Sequence, residues 1–341
     1  MHAWPDYCTK GRFAPSGPLP FGIRDNSALY SDPAPALPVT SPLRRAALAL
    51  VLALLGLLGR LPLRFYHALG AVLGQLAYRF SPKFAERLRD NLRCSGVCED
   101  KAAYRRVLRA NIAETGKQAI EFIALWFRPE RSAAALVRSC RGEDEVLAAY
   151  REGKGVILLT PHLGCFEVSA IYAAQRFPIT VLYRPPRVAW LEPIIVAGRG
   201  RGNEKLAPAN LKGVRSLFRA VKSGEALGIL PDQAPSKGEG IWVDFFGRPA
   251  YTMTLVGRLW ETTQPAVFVA AALRRPRGEG FDIVVRRVQG DLSGREGARR
   301  INAAVEDAVR LCPEQYLWGY HRYKTPAGAP PPAQPLEGSR C

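Results

Sequence analysis

Four histidines occur in the 341 residues: His2, His67, His162 and His321. His162 stands apart. It follows the apolar run Gly155-Val156-Ile157-Leu158-Leu159, which has strand character, and Glu167 comes five positions after it. A strand end that meets a helix start is where α/β proteins commonly hold their chemistry. An imidazole removes a proton near neutral pH, and a nearby carboxylate can fix its tautomer. If residues 161–163 form the turn, residues 164–167 form the first helical turn, and the Glu167 carboxylate reaches back to the ring. The positive end of that helix favours the neutral imidazole that a base requires. Gly164 lets a substrate come close to the backbone. The plainer alternative is a packed histidine at a helix start, with Glu167 as an ordinary first-turn acid. Cys165 lies in the same stretch. As a nucleophile it would need the imidazole within hydrogen-bond reach; a small packed residue is the simpler reading.

The elements that must position these groups come from the rest of the chain. Its length suits one large α/β domain with appendages. The net charge is +18. Such a surface favours anionic partners: lipid head groups, phosphorylated substrates, an acidic carrier protein or nucleic acid. The seven cysteines form no framework, and Cys94-x-x-x-Cys98 has neither a second pair nor a nearby histidine, so no metal site is expected. Their odd number and scatter suit a reducing compartment.

Residues 1–42 are rich in Pro, Gly, Ser and Ala without periodicity and read as a disordered extension. Residues 43–80 read as a hydrophobic membrane anchor. Arg44-Arg45 precede an uncharged Leu/Ala run over 46–59, closed by Arg60-Leu61-Pro62. The run is short for a full span, which needs about 20 residues. The basic residues on both flanks conflict over orientation, which favours a helix lying in the membrane plane over one that crosses it. A signal peptide and a buried core helix are the other readings; no small-x-small cleavage site stands out before Arg60.

The domain proper is expected over 81–324, with a disordered Pro-rich tail over 325–341. Residues 83–92 and 101–126 have helical period. A short helix follows Gly142, with Glu143, Asp144 and Glu145 in its first turn and Val146, Leu147 and Tyr150 as apolar anchors. Strands and helices then alternate, with strands at 156–160, 179–183, 226–230, 241–245, 266–273 and 281–287 and helices at 167–175, 211–222, 253–262 and 295–311. The alternation implies an α/β sheet with helices on its faces.

Four ordered segments carry a more specific signal. They are His162-x4-Glu167; Tyr183-Arg184-Pro185 followed by Arg199-Gly200-Arg201; Leu230-Pro231-Asp232-Gln233, then Phe245-Phe246-Gly247-Arg248-Pro249-Ala250 and Thr252; and Pro313-Glu314-Gln315-Tyr316-Leu317-Trp318. Together they resemble the bacterial lipid A biosynthesis acyltransferases, the lauroyl/myristoyl group of lipopolysaccharide biosynthesis, within the wider glycerolipid acyltransferases and their H-x4-D/E motif. The resemblance covers about residues 45–325. It implies a mixed central sheet flanked by helices, an N-terminal membrane-anchoring helix, and a place on the cytoplasmic side of the bacterial inner membrane. It also implies transfer of a fatty acyl chain from a thioester, in this family usually acyl-acyl carrier protein, to a hydroxyl of a phosphorylated glycolipid. No cofactor beyond the thioester is implied.

By that resemblance His162 is the base and Glu167 its orienter, with direct attack and no acyl-enzyme. Arg184, Arg199 and Arg201 match basic positions that bind phosphate, for which guanidinium forks are suited. Asp232, after a buried strand, could orient an arginine or receive a polar substrate group; a turn acid after Pro231 is equally compatible. Phe245, Phe246 and Thr252 are expected to shape the acyl pocket, and core packing explains the phenylalanines as well. Glu314, Gln315, Tyr316 and Trp318 are expected to close the last helix against the site.

The chain departs from the family pattern in two places. Asp244 stands where proline usually precedes the paired phenylalanines. Tyr320-His321-Arg322-Tyr323-Lys324 replaces the usual H-R-R-F-K, so His321 is given no catalytic role. A lysophospholipid or amino-acid-lipid acyltransferase would use the same chemistry. A basic, membrane-tethered nucleic-acid-binding protein is the rival from another class, but no aromatic-basic interleaving or known module supports it, and no nucleic-acid partner is expected.

Overall fold

Leucine and alanine dominate the start of the described chain, and both favour helix. The computed structural model describes residues 42–186, 188–235 and 238–332, and there α1 (Pro42–Leu58) and α2 (Leu63–Phe80) form an elbow broken at Arg60-Leu61-Pro62. Arg128 holds the elbow: its Nε donates to the Gly59 carbonyl at 3.1 Å and one terminal nitrogen to the Leu61 carbonyl at 2.8 Å. The two helices bend by 104°, and among the described residues no single helix is long and apolar enough to cross a membrane. Leu50, Leu54 and Leu57 of α1, and Phe65, Leu69, Val72, Leu76 and Phe80 of α2, are exposed.

The next segment is helical. It comprises α3 (Pro82–Cys94), α4 (Lys101–Ile120), α5 (Phe122–Trp126) and α6 (Glu130–Ala134). Asp100 caps α4 by accepting the Ala103 N–H at 2.7 Å. The remainder alternates: β1 (Val137–Arg141), α7 (Glu143–Arg151), β2 (Val156–Leu159), α8 (Phe166–Ala174), β3 (Ile179–Tyr183), α9 (Glu192–Arg199), β4 (Glu204–Pro208), α10 (Leu211–Lys222), β5 (Ala226–Ile229), the hairpin β6 (Gly240–Phe245) and β7 (Arg248–Met253), α11 (Leu255–Thr263), β8 (Ala266–Arg274), β9 (Phe281–Arg287) and α12 (Gly294–Leu311).

Seven strands form one sheet in the order β1-β9-β8-β2-β5-β3-β4. β1 and β9 are parallel to each other and opposed to the other five, so the sheet is mixed and flanked by helices, as expected. Its centre is apolar on both faces, as a sheet covered by helices requires. Ile157 and Leu159 of β2 face a core shared with Leu217 and Val221 of α10, Val256 and Leu259 of α11, and Val305 and Val309 of α12. Val156 and Leu158 face Val146 and Ala149 of α7 and Ala173 and Ala174 of α8.

Strands β1, β4 and β7 and helices α6 and α9 were not expected from the sequence. β1 and β4 are polar, short and at the sheet edges, and β7 carries Pro249, a residue that weakens a strand signal. The extension expected over 1–42 and the tail over 325–341 fall largely outside the described residues. Within the tail, the Pro330 carbonyl accepts the Trp242 ring N–H at 2.8 Å.

Helix α2 lies against α4 through glycine. A Cβ on Gly116 would collide with the Gly70 carbonyl and, at 2.5 Å, the Gly74 nitrogen. Gly116→Ala is therefore expected to push the helices apart and cost roughly 1–3 kcal/mol as overpacking. A thermal melt of the purified variant checks this; an unchanged midpoint would mean that the backbones are not in close contact.

Candidate active site

His162 and Asp232 meet because two parallel strands end level. Leu159 of β2 is in register with Ile229 of β5, and each residue lies three positions beyond its strand. Asp232 accepts two hydrogen bonds from the same residue: one carboxylate oxygen takes the His162 backbone N–H and the other its ring Nδ1–H, both at 2.8 Å. With Nδ1 protonated, Nε2 is left as the acceptor. The Gln233 side-chain amide donates to it at 3.0 Å. The ring of Phe166 packs against the imidazole, with centroids 4.8 Å apart.

Asp232 is fully buried. Burial alone would raise its carboxyl, but the His162 ring and the two N–H donors outweigh that and hold it below its usual range. The carboxylate thus stays charged. Burial, and then the Asp232 carboxylate, push the Tyr316 phenol well up, so it stays protonated.

The loop carrying His162 is clamped from three sides. The segment 313–318 runs beside it: Leu317 N–H donates to the His162 carbonyl at 3.0 Å, Gly164 N–H to the Gln315 carbonyl at 3.0 Å, and Leu163 bridges Tyr316. Gln315 binds Arg274 of β8 in both directions, accepting its N–H and donating to its carbonyl. Asn111 of α4 donates to the Glu314 and Tyr316 carbonyls. From below, the guanidinium of Arg274 donates to the Gly164 carbonyl at 2.8 Å while paired with Glu121 and Glu114. Glu121 in turn meets His67 of α2 at 3.2 Å. Burial opposes its charge, yet Arg274 and His67 hold its carboxyl down to about 2. Gly164 has φ +61, and a Cβ there would run into the Ala272 carbonyl, so no other residue fits without strain. The expectation that 313–318 closes against the site matches this arrangement.

Other expectations are corrected. Glu167 does not reach His162. It points away along α8, where it forms a two-pronged pair with Arg199 and accepts the Trp126 ring N–H at 3.0 Å. Arg199 and the Trp126 ring N–H hold Glu167, and the acid level with His162 is the one beyond the neighbouring strand. Arg199 is thereby occupied, and Glu167 raises its guanidinium against the effect of burial. Arg201 is also taken: its three nitrogens donate to the carbonyls of Gly198, Arg128 and Leu125. Neither presents a free fork to phosphate. Arg184 is exposed at the carboxyl end of β3. Asp232 orients the histidine instead of an arginine.

Phe245 and Phe246 belong to the main core beside Tyr316 and Trp318, with Phe246 in the left-handed region at φ 49 to close the β6–β7 turn. Thr252 is buried and accepts from Asn302 and Arg322. These three hold the hairpin and do not line an open pocket. Cys165 is not a nucleophile: it is buried against Glu121, and burial, with that acid, pushes its thiol well up.

Three residues escaped the sequence reading as participants: Gln233, Arg274 and Glu204. Gln233 stood inside a quoted motif next to Asp232. Arg274 ends an apolar strand, and a charge there is a signal that burial must be compensated. Glu204, on β4, is buried beside the Glu167–Arg199 pair in a cavity of about 20 Å3 with Ser169, and burial together with Glu167 raises its carboxyl to about 8.

The family model described as bacterial lipid A biosynthesis acyltransferase matches residues 37–325. The chain belongs to that family. It is 26% identical over 284 residues to the lipid A biosynthesis lauroyltransferase of Escherichia coli (strain K12), covering 81% of this chain and 91% of that protein. It is 24% identical to the palmitoleoyltransferase of the same organism over 75% of this chain and 84% of the relative. For the myristoyltransferase the figures are 26%, 77% and 82%. The aligned length includes both strand ends that carry the His162–Asp232 pair.

Two expectations follow for this family member. Asp232→Asn places a donor opposite Nδ1 and turns the tautomer, so turnover falls by roughly 10^3-fold or more with the fold retained; steady-state kinetics beside a melting curve tests it, and wild-type turnover would remove Asp232 from the mechanism. Glu204 generates a pH dependence. Below the ordinary value of 4.5 it is protonated folded and unfolded; above that the unfolded form ionises first, so stability falls until pH about 8, where the folded form ionises too. Glu204→Gln is expected to flatten denaturant-derived stability between those limits, and an identical slope in both proteins would contradict the buried neutral acid.

Proposed function

We propose that the chain transfers a fatty acyl group from acyl carrier protein thioester to a hydroxyl of a phosphorylated lipid A precursor, at the cytoplasmic face of the bacterial inner membrane. The observation that carries the reading is the His162–Asp232 pair, seated on a chain that belongs to a lipid A acyltransferase family. The names of the relatives supply the acceptor class; the side chains supply the chemistry.

The acceptor hydroxyl displaces the Gln233 amide from Nε2 and gives its proton to that nitrogen as its oxygen attacks the thioester carbonyl carbon. A carbon–oxygen bond forms and the carbonyl becomes an oxyanion. Asp232 stabilises the imidazolium that results. The carbon–sulfur bond then breaks, and the leaving thiolate takes the proton from Nε2. No bond to the protein forms, and the reaction as written uses side chains and the two substrates alone. The displaced Gln233 amide remains beside the reacting atoms as a donor.

The exposed apolar faces of α1 and α2 support membrane seating. Leu54 of α1 and Phe80 of α2 are 53% and 74% exposed, and the helices meet in an elbow better suited to lying in a leaflet than to crossing it. The net charge of +18 favours both an acidic carrier protein and anionic lipid. A lysophospholipid acceptor would use the same pair of residues, but the relatives' names favour lipid A.

His162→Ala is expected to abolish acyl transfer from acyl carrier protein while leaving membrane association intact. Purified membranes, given acyl carrier protein or CoA thioesters and a panel of lipid acceptors, test this. Retained transfer in the variant, or wild-type transfer only to lysophospholipid, would overturn the reading.

A further inference from the structure

Of the three arginines expected to bind phosphate, Arg199 and Arg201 are committed to internal partners and Arg184 alone is exposed, so a phosphate on the acceptor calls for further cations. A phosphate receptor needs cations that converge without acidic partners. Many are neutralised locally: Arg310 by Glu306 and Asp307, Lys205 by Glu225, and Arg248 by Asp90. The groove near Arg287 and Arg300 also holds Asp307, an acid that opposes a phosphate.

One cluster differs. Helix α3 presents Phe84, Arg87 and Asn91 on one face, at helical spacing, to the segment that follows Trp318. Asn91 Nδ2 donates to the Trp318 and Tyr320 carbonyls at 2.7 and 2.9 Å. The Phe84 ring packs directly on Gly319, leaving no space for a Cβ there. Those contacts, on either side of Arg87, put it on the face of α3 that meets residues 318–320, next to His321 in sequence, where its charge acts on that ring. Lys324 returns to the same place, its Nζ 5.4 Å from the Tyr320 ring centroid. Partial burial first, and then Arg87 and Lys324, disfavour a proton on His321, as expected where cations crowd together. Arg87 and His321 are exposed, Lys324 is half-buried, and none of the three has a carboxylate partner among the described residues.

The cluster is tied to the reaction centre by a short path. The Tyr320 hydroxyl accepts the Ala234 N–H at 3.1 Å, and Ala234 follows Gln233, whose amide sits on the His162 ring. On its other side α3 begins at Pro82, directly after Phe80 ends the exposed apolar face of α2. A lipid with its chains along α2 would bring its head group here.

We infer that Arg87, His321 and Lys324 form the receptor for a phosphate group on the membrane-borne acyl acceptor, holding the acceptor hydroxyl in front of His162. Arginine and lysine converging without an acid match a phosphate's charge and its several acceptor oxygens. The inference rests on the acyl-transfer reading for the identity of the phosphate's carrier, but not for the anion site itself.

The test uses the full chain in detergent micelles, as wild type, Arg87→Gln, Lys324→Gln and the double variant. A monophosphorylated glycolipid acceptor and its dephosphorylated counterpart are the probes, with phosphatidylglycerol as competitor. Each substitution is expected to raise KM for the phosphorylated probe about tenfold, the loss typical of one charged hydrogen bond, with kcat and the melting midpoint unchanged. The dephosphorylated probe should not distinguish the variants from wild type. Equal losses on both probes, or none on either, would overturn the inference. So would full competition by phosphatidylglycerol, which would make the cluster a site for bulk lipid. Equilibrium binding of both probes on a His162→Ala background separates the two readings: phosphate-selective binding lost in the variants without any wild-type transfer would sink the acyl-transfer reading and keep the anion site.

Discussion

The level ending of β2 and β5 is the constraint on which the rest depends. Parallel pairing fixes which residues beyond the strands face each other, and here it sets a histidine beside an aspartate. The aspartate accepts from the backbone as well as the ring, so the loop and the imidazole are positioned by one buried charge. A carboxylate bound through two N–H donors stays ionised despite its burial. It therefore dictates the tautomer, and the tautomer dictates that Nε2 is the basic nitrogen. The base role proposed for Nε2 follows from strand register and hydrogen-bond geometry.

A second buried charge system supports the first. Arg274, Glu121, Glu114 and His67 link the amphipathic helix α2 to the Gly164 carbonyl, two residues beyond the His162 ring. Buried ion networks of this kind add little net stability over apolar packing, while removing one member leaves an uncompensated charge. Their value here is positional. The 313–318 strap adds backbone pairing and side-chain amides from Gln315 and Asn111. The loop is thus over-determined, which suits a group that must meet two substrates without reorganising.

The alternating elements were legible because apolar runs such as Val156-Ile157-Leu158-Leu159 have no other stable place than a covered sheet. The importance of His162 was legible from its position at a strand end. Its partner was not. Glu167 is near in sequence and Asp232 is distant, and local spacing cannot report which strands are neighbours. The arginines were misjudged for a related reason: Arg199 and Arg201 look free in a basic chain, but their acceptors, Glu167 and the carbonyls around α5, are assembled only by the fold. Phe245, Phe246 and Thr252 likewise carried a family position but not its surroundings. The strap at 313–318 was legible as closure because a Gln-Tyr-Leu-Trp run after a long amphipathic helix has apolar surface to bury.

The most direct measurement is of the imidazole itself. Nitrogen-15 NMR of selectively labelled protein at neutral pH reports which ring nitrogen of His162 carries the proton. The account predicts a protonated Nδ1 with a strongly downfield proton, bound to Asp232, and an unprotonated Nε2. A ring protonated at Nε2, or one whose Nδ1 proton exchanges freely with solvent, would contradict it.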